Sequence, residues 1–269
     1  QNKPAEQLTD LNGDGIVDVP NSPTTKADLL KTITYPAGGN TTVEYKPTTQ
    51  YKESNGALMN PKLPTVFWTV SKVTNSDGTG ATPQVETYTY KNGTGYFNGP
   101  YDRKFAGFEK ISKTTDSSVT DTYYHQGNGD NTANGETGDS YGKIGKPYKI
   151  EVFDRSGNLF TRAQNIYGTS PITGASSPAG FSASDPVFVY TAKTITENYT
   201  GSNHKDRAIE NTYDTANGNL LSSTNYGEVT SGSSASSASP TFTDIGSDLS
   251  ATTISYVASS TINMFVPTQ

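Results

Sequence analysis

The sequence predicts an all-β fold, in which a mostly antiparallel sheet meanders through a series of repeated hairpins. Three observations lead to this prediction. Apolar and polar residues alternate through most of the 269 residues, while helical periodicity is nearly absent. The 17 Tyr and the abundant Thr suit half-exposed strands, and Gly, Asn and Asp suit the turns between them. Most alternating segments are separated by links of hairpin length, which favours antiparallel neighbours.

The alternating segments predict the strands in chain order. The first two flank the sequence PAGGN, whose glycines suit a tight reversal, and they predict a hairpin. A glycine-rich link is expected at residues 92–104 and a polar surface loop at 127–145. The predicted strands are residues 29–35, 41–46, 65–74, 84–91, 105–116, 119–126, 147–154, 159–168, 187–200, 207–214, 220–227, 252–256 and 262–266.

Composition excludes several classes of protein. The apolar fraction is only 31%, but charged residues make up only 17%, which is not the combination typical of disordered chains. The net charge of −6 without a basic run argues against non-specific nucleic-acid binding. No apolar stretch approaches the roughly 20 residues of a membrane-spanning helix. With no cysteine to form disulfides, the chain resembles a secreted or cell-surface protein that uses calcium as a clip.

The stretch DLNGDGIVD, residues 10–18, is the strongest chemical signal in the sequence. Calcium takes six to eight oxygen ligands, and alternate residues of a tight loop converge on one point. Gly13 and Gly15 would allow the sharp path of such a loop. We therefore predict a structural Ca²⁺ site, with a metal-free turn as the alternative. Its predicted ligands are the side chains of Asp10, Asn12, Asp14 and Asp18 and the carbonyl of Ile16.

No constellation of catalytic residues stands out, and the sequence predicts a protein that is not an enzyme. The two histidines, His125 and His204, have no partner motif and are interpreted as surface or turn residues. A Gly-x-Ser-x-Gly nucleophile elbow is missing. A pair of carboxylates for glycoside hydrolysis stays open, because the separation of such a pair is set in space rather than in sequence.

Seven tyrosines on the predicted strands have two interpretations. They could form a sugar-binding strip, or they could be cross-strand aromatic pairs that stabilise a thin sheet by roughly 0.2–1 kcal/mol each. The structural interpretation is favoured on this ground. The seven are Tyr88, Tyr90, Tyr123, Tyr124, Tyr167, Tyr213 and Tyr226.

Two segments repeat one pattern. FDRSGNLFTRAQNIYG, residues 153–168, and YDTANGNLLSSTNYG, residues 213–227, each contain an aromatic residue, Asp, a short turn, Gly-Asn-Leu, a strand and a closing Tyr-Gly. The shared pattern predicts a hairpin in which Asp caps the turn and Gly supplies a positive φ. Repeated hairpins with an open edge can stack into a long sheet. The second segment closely resembles the tyrosine-aspartate (YD, or RHS) repeat.

A longer resemblance covers residues 9–226. The runs ADLLKTITYPAGGNTTVEYKP, RKFAGFEKISKT and GKPYKIEVFDRSGNLFTRAQNIYG resemble the middle region of the insecticidal toxin complex B component and its SpvB-like relatives. In that family a DLNGDGxxD loop belongs to a propeller, which precedes the middle region and then a YD-repeat shell. The resemblance implies four parts: the end of a propeller-type calcium loop repeat (1–25), a toxin-B-like middle β region (26–146), YD-type hairpins (147–229), and a low-complexity linker with partial strands (230–269).

The resemblance also implies a role. We expect a structural segment of a large, secreted or cell-surface bacterial protein, contributing to a β-shell or a sandwich-like assembly that encloses a C-terminal effector. Its partners would be the remainder of the same polypeptide or other toxin-complex subunits, with no nucleic acid and no membrane span. The alternative is an adhesin or surface-fibre module that binds glycans or another cell surface, which an exposed aromatic strip in a groove would favour.

Overall fold

The computed structural model describes residues 29–97, 99–100, 102–172, 187–231, 240–259 and 264–267. The predicted calcium loop at residues 10–18 lies outside these ranges. Contacts between residues divide the chain into two compact units. Unit 1 comprises Gln1–Gly95 and Phe108–Thr120, and unit 2 comprises Tyr96–Gly107 and Asp121–Gln269.

The predicted all-β, antiparallel class is confirmed. Among the described residues the only helical elements are three single 3₁₀ turns, Thr48–Gln50, Thr132–Asn134 and Tyr141–Lys143. No helix in the described part of the chain is long and apolar enough to cross a membrane. The strands are β1 (Thr32–Thr34), β2 (Asn40–Pro47), β3 (Trp68–Ser76), β4 (Gln84–Phe97), β5 (Arg103–Thr114), β6 (Ser118–Tyr124), β7 (Pro147–Asp154), β8 (Leu159–Pro171), β9 (Val187–Thr200), β10 (Asn203–Tyr213), β11 (Leu220–Ser231), β12 (Phe242–Asp244), β13 (Ser250–Thr253), β14 (Tyr256–Ser259) and β15 (Met264–Pro267).

The predicted hairpin lies in unit 1. Strands β1 and β2 pair antiparallel, with Ile33 opposite Thr41, and β2 continues into antiparallel pairing with β3, which pairs in turn with β4. The interior of this unit is aromatic. Tyr51 is 3% exposed, and its ring lies 5.6 Å from that of Tyr90, which lies 4.9 Å from the ring of Phe108. We call these three residues the aromatic cluster.

The glycine-rich link predicted at residues 92–104 is partly wrong, because β4 continues to Phe97 and β5 begins at Arg103. Gly93 serves close packing here rather than a turn. A Cβ atom at this position would lie 2.9 Å from the side chains of Leu63 and Phe108. The Gly93 N–H also donates to Oδ1 of Asn60 at 2.8 Å. A glycine inside a strand often marks such a close approach.

Unit 2 contains a long antiparallel meander. Strands β7, β8, β9, β10 and β11 pair in chain order, and β11 pairs along its other edge with both β12 and β13. A small apolar core lies on one face of this sheet, where Ile195, Ala208 and Val229 are each no more than 3% exposed. Strands β14 and β15 form a separate antiparallel pair.

Charged side chains lie on the same buried face of unit 2. Glu151, Arg162, Glu197 and Asp206 are consecutive cross-strand neighbours on β7, β8, β9 and β10, and we call them the charged row. The three acids are 2–6% exposed. Arg162 donates from Nε to Glu151 at 2.9 Å and from Nη1 to Glu197 at 3.0 Å. Buried carboxylates need such partners, because an unpaired buried charge is strongly destabilising.

The two repeated segments fold as the predicted hairpins, β7–β8 and β10–β11. In the first turn, Oδ1 of Asp154 accepts the N–H groups of Ser156 and Asn158, both at 2.8 Å. In the second turn, Oδ1 of Asp214 accepts the N–H of Ala216 at 2.9 Å. The glycine of each turn has a positive φ, 87° at Gly157 and 79° at Gly218. The predicted roles of Asp and Gly in these turns are therefore confirmed.

Candidate functional site

A buried imidazole lies at the base of the loop between β6 and β7. His125 follows the last residue of β6, and its backbone N–H donates to the carbonyl of Lys146 at 3.0 Å. Its own carbonyl accepts the N–H of Gly145 at 2.9 Å. These two bonds join the ends of the loop, and the imidazole between them is buried. The ring lies 5.1 Å from that of Tyr148 and 5.9 Å from that of Tyr167.

Two carboxylates of the loop converge on this imidazole. Nδ1 of His125 lies 2.8 Å from Oε1 of Glu136 and 3.4 Å from Oδ1 of Asp139. The three side chains are 1%, 4% and 0% exposed, and one ligand atom from each lies within 4.8 Å of the other two. We call these three residues the His125 centre. Imidazole and carboxylate groups in this arrangement are able to bind a divalent metal ion.

Backbone N–H groups orient both carboxylates. Asp139 accepts from Gly127 at 3.0 Å, from Asn128 at 2.8 Å and from Gly129 at 3.1 Å, so it spans the loop. Oε2 of Glu136, the oxygen that does not face the imidazole, accepts the N–H of Asn131 at 2.8 Å. The loop thus holds one oxygen of each carboxylate towards His125.

The surroundings shift the pKa of both His125 and Asp139. Burial alone would lower the pKa of His125, but hydrogen bonds to Asp139 and Glu136, with the charges of these two residues, raise it above its ordinary value. Burial alone would raise the pKa of Asp139, but the contacts with His125 and with the Gly127 and Asn128 N–H groups lower it. The centre therefore favours charged forms despite its burial.

Lys143 adds a positive charge near the same loop. Its side chain is buried and donates from Nζ to the carbonyl of Gly138 at 2.5 Å. Burial lowers the pKa of Lys143, and the charges of Asp130, Asp139 and Glu136 oppose this effect. The ammonium group thus bonds to a carbonyl of the loop and offsets part of its negative charge.

The interpretation of His125 as a surface or turn residue is wrong, because the residue is 1% exposed. The polar loop at residues 127–145 is present, but it packs around its own buried carboxylates. The sequence contains one signal for this centre, namely a histidine followed within fourteen residues by three acids in a glycine-rich segment, two of which contact the imidazole. His204 is partly exposed and lies beside Asp206 of the charged row.

Most of the predicted tyrosines contact neighbouring rings. Tyr90 lies in the aromatic cluster, and the ring of Tyr123 lies 6.1 Å from that of Tyr148. The ring of Tyr213 lies 4.9 Å from that of Tyr190. Such pairs match the structural interpretation of these residues.

The predicted calcium ligands Asp10, Asn12, Asp14, Ile16 and Asp18 all lie outside the described residues, so the calcium site stays a prediction.

An antiparallel meander with its strands in chain order defines an all-β fold. A comparison of sequences gives the family that part of the chain resembles. Residues 4–130 match the family model described as the insecticide toxin TcdB middle/N-terminal region. This part of the chain is similar to the toxin complex B middle region, and the resemblance noted in the sequence is confirmed to this extent. The comparison with curated protein sequences gave no match.

Solved structures of toxin complexes have a similar fold. The crystal structure of TcdB2-TccC3-TEV matches 70% of this chain with a TM-score of 0.56 and 14% identity. That of TcdB2-TccC3-Cdc42 matches 74% with a TM-score of 0.54 and 13% identity. That of TcdB2-TccC3 without the hypervariable C-terminal region matches 71% with a TM-score of 0.52 and 13% identity. The chain spans only 11–12% of the length of these proteins.

Proposed function

We propose that this chain is a structural segment of a large, secreted or cell-surface protein of the toxin-complex B type. It contributes to a β-shell that encloses a C-terminal effector, and it performs no chemistry of its own. The single observation that carries the proposal is the meandering sheet, which matches TcdB2-TccC3-TEV over 70% of the chain at a TM-score of 0.56. The partners would be the rest of the same polypeptide or other toxin-complex subunits.

The repeated hairpins support this role. Both turns use an aspartate cap and a glycine with positive φ, and the sheet continues beyond the second hairpin, because β11 pairs along its other edge with β12 and β13. A hairpin whose outer strand pairs with the strand that follows can be repeated, which is how a long sheet grows from short repeats. We infer that the two hairpins are YD-type repeats at the start of such a sheet.

Mass spectrometry of the native protein tests this proposal. An antibody against this chain would capture the protein from its source, and peptides would be mapped beyond both ends of the 269 residues. We expect further tyrosine-aspartate repeats and a C-terminal segment that resists protease until the protein is denatured. A mass equal to this chain alone, or a C-terminal segment digested at the same rate in the native and denatured protein, would contradict the shell.

A glycan array with the same native protein tests the competing class. Specific glycan binding that is lost on substitution of exposed tyrosines would favour an adhesin or surface-fibre module. The ring contacts of Tyr90, Tyr123 and Tyr213 with neighbouring residues favour a structural use of these side chains. We therefore expect no specific glycan signal.

We also propose that residues 10–18 bind Ca²⁺ as a structural ion. The support is the alternation of oxygen-bearing residues with glycines, which suits the coordination number of calcium. Calorimetric titration with Ca²⁺ should show one site that is abolished by the double substitution D10N and D14N. The matched control is D77N, which changes an aspartate in an exposed turn and should leave Ca²⁺ binding intact. Equal binding by all three proteins would exclude this loop as the site.

A further inference from the structure

We propose that the His125 centre binds one divalent transition-metal ion, with Zn²⁺ as the probe. This site is separate from the predicted calcium loop, and the inference does not depend on the shell function. Its ligands are Nδ1 of His125, Oε1 of Glu136 and Oδ1 of Asp139. The inference rests on the convergence, spacing and burial of these three atoms.

The ligand atoms lie close to the spacing that a metal ion requires. A tetrahedral zinc site with bonds of about 2.0–2.2 Å places neighbouring ligand atoms about 3.3–3.6 Å apart. Nδ1 of His125 lies 3.4 Å from Oδ1 of Asp139, within this range. It lies 2.8 Å from Oε1 of Glu136, a hydrogen-bond distance that would have to lengthen by about 0.5 Å when the ion binds. Nδ1 carries at most one hydrogen atom, so a single N–H cannot point well at both oxygens. A metal ion between the three atoms would satisfy all of them at once.

The rest of the loop provides the outer contacts that metal ligands usually have. Ligating carboxylates are themselves hydrogen-bonded in typical sites, and these contacts fix their orientation. Oε2 of Glu136 accepts the N–H of Asn131, and Oδ2 of Asp139 accepts those of Asn128 and Gly129. The oxygens nearest the imidazole are the ones we assign as ligands.

The charge and the mixed donor set favour a transition metal over calcium. Metal binding requires the neutral imidazole, so any proton on Nδ1 is released. The two buried carboxylates then carry a charge of −2, which attracts a divalent ion even though Lys143 offsets part of it. Imidazole nitrogen suits Zn²⁺ and its neighbours in the first transition row, whereas calcium takes oxygen ligands. The predicted loop at residues 10–18 offers only oxygen ligands, so it should prefer Ca²⁺. The two sites should therefore discriminate between Ca²⁺ and Zn²⁺.

Titration of the chelator-treated chain with ZnCl₂ tests the inference. We expect one Zn²⁺ per chain, and we expect E136Q and H125Q each to weaken binding by at least about 100-fold, because each removes one of three ligands. H204Q is the matched control for non-specific histidine binding, and D10N/D14N is the control for the calcium loop. Both controls should keep the wild-type affinity for Zn²⁺. Wild-type protein that binds no Zn²⁺, or E136Q that binds it unchanged, would overturn the inference.

A second measurement avoids substitutions in the loop, which could prevent folding. The chain has only two histidines, so H204Q leaves the imidazole signals of His125 alone in an NMR spectrum. Stoichiometric Zn²⁺ should shift these signals in slow exchange, and excess chelator should restore them. Signals that do not respond to Zn²⁺ would show that His125 is only part of a hydrogen-bonded ion triad.

Discussion

The interiors of the two units are built from different chemistry. Unit 2 buries the charged row across four strands, where Arg162 lies between Glu151 and Glu197. Unit 1 buries the aromatic cluster of Tyr51, Tyr90 and Phe108. Aromatic rings stabilise the fold because their apolar surface is removed from water and because they make edge-to-face contacts. Buried charges gain stability only while every partner is present, so a single substitution should be most damaging in the charged row.

The largest expected effect is that of R162M in the charged row. This change removes the guanidinium that Glu151 and Glu197 share, and breaking a buried ion pair costs about 3–5 kcal/mol. Glu151 keeps the ammonium of Lys149 at 3.6 Å, so the larger part of the loss should fall on Glu197. The loss would be measured by denaturant unfolding, with hydrogen exchange of the β8 and β9 amides to localise it. The control is R155M, in the exposed turn of the same hairpin, where we expect less than about 0.5 kcal/mol. Equal losses in the two variants would contradict the comparison.

F108A in the aromatic cluster should have the next largest effect. Phe108 is 8% exposed and contacts Tyr90, so its truncation leaves a cavity and costs about 3 kcal/mol. F97A is the control, because Phe97 is 71% exposed. Unfolding of both variants in urea measures the difference. A loss in F108A as small as that in F97A would show that the aromatic cluster is not the main support of unit 1.

Acid should weaken the charged row. Burial alone would raise the pKa of Asp206, but hydrogen bonds from Ser231 and the contact with His204 lower it below the ordinary value. A carboxylate with a lowered pKa in the folded state contributes stability above about pH 4, and this contribution is lost as the pH falls through the folded pKa. The free energy of unfolding of D206N should therefore depend less on pH below about 4 than that of the wild-type protein. Parallel acid-unfolding curves for wild type and D206N would contradict this.

D214A should cost less than the changes above, since its turn lies closer to solvent. Removing the side chain takes away its hydrogen bond from the Ala216 N–H, which we expect to cost about 0.5–1.5 kcal/mol. T215A, in the same turn, is the control. Thermal unfolding of both variants gives the measurement. If D214A lost nearly as much stability as R162M, burial would not determine how much a charged residue contributes in this protein.

The smallest expected effect is that of Y88F in unit 1, and it concerns the stability of the fold in alkali. Burial and the hydrogen bond to Glu86 raise the pKa of Tyr88 to about 12. A tyrosine in the unfolded chain ionises near pH 10, so this residue stabilises the folded state below about pH 10, and the contribution is lost as the pH rises towards 12. Between about pH 10 and 12, the free energy of unfolding of Y88F should fall less steeply than that of the wild-type protein. Spectrophotometric titration of tyrosinate in both proteins checks the assignment, and a Tyr88 that ionises near pH 10 would refute it.

The strands and the turns could be predicted from the sequence because they depend on local contacts. Alternating residues and turn glycines act within a few positions, and the Asp caps of the two hairpins bond to residues within four positions of themselves. The similarity to the toxin complex B middle region, which the family model matches over residues 4–130, could likewise be recognised from motifs along the chain. The prediction of a link over residues 92–104 is partly wrong, because glycine also permits close packing inside a strand, as at Gly93.

Only the tertiary structure decided which face of the sheet is buried. In β7, periodicity alone would direct Ile150 and Val152 into the core, whereas the structure buries Lys149 and Glu151. Alternation shows which residues share a face, but burial depends on partners from distant strands, such as Arg162 on β8 and Glu197 on β9. The burial of His125 likewise depends on residues distant in the sequence. Glu136 and Asp139 contact the imidazole only once the loop has closed, and no local pattern encodes the contacts that close it.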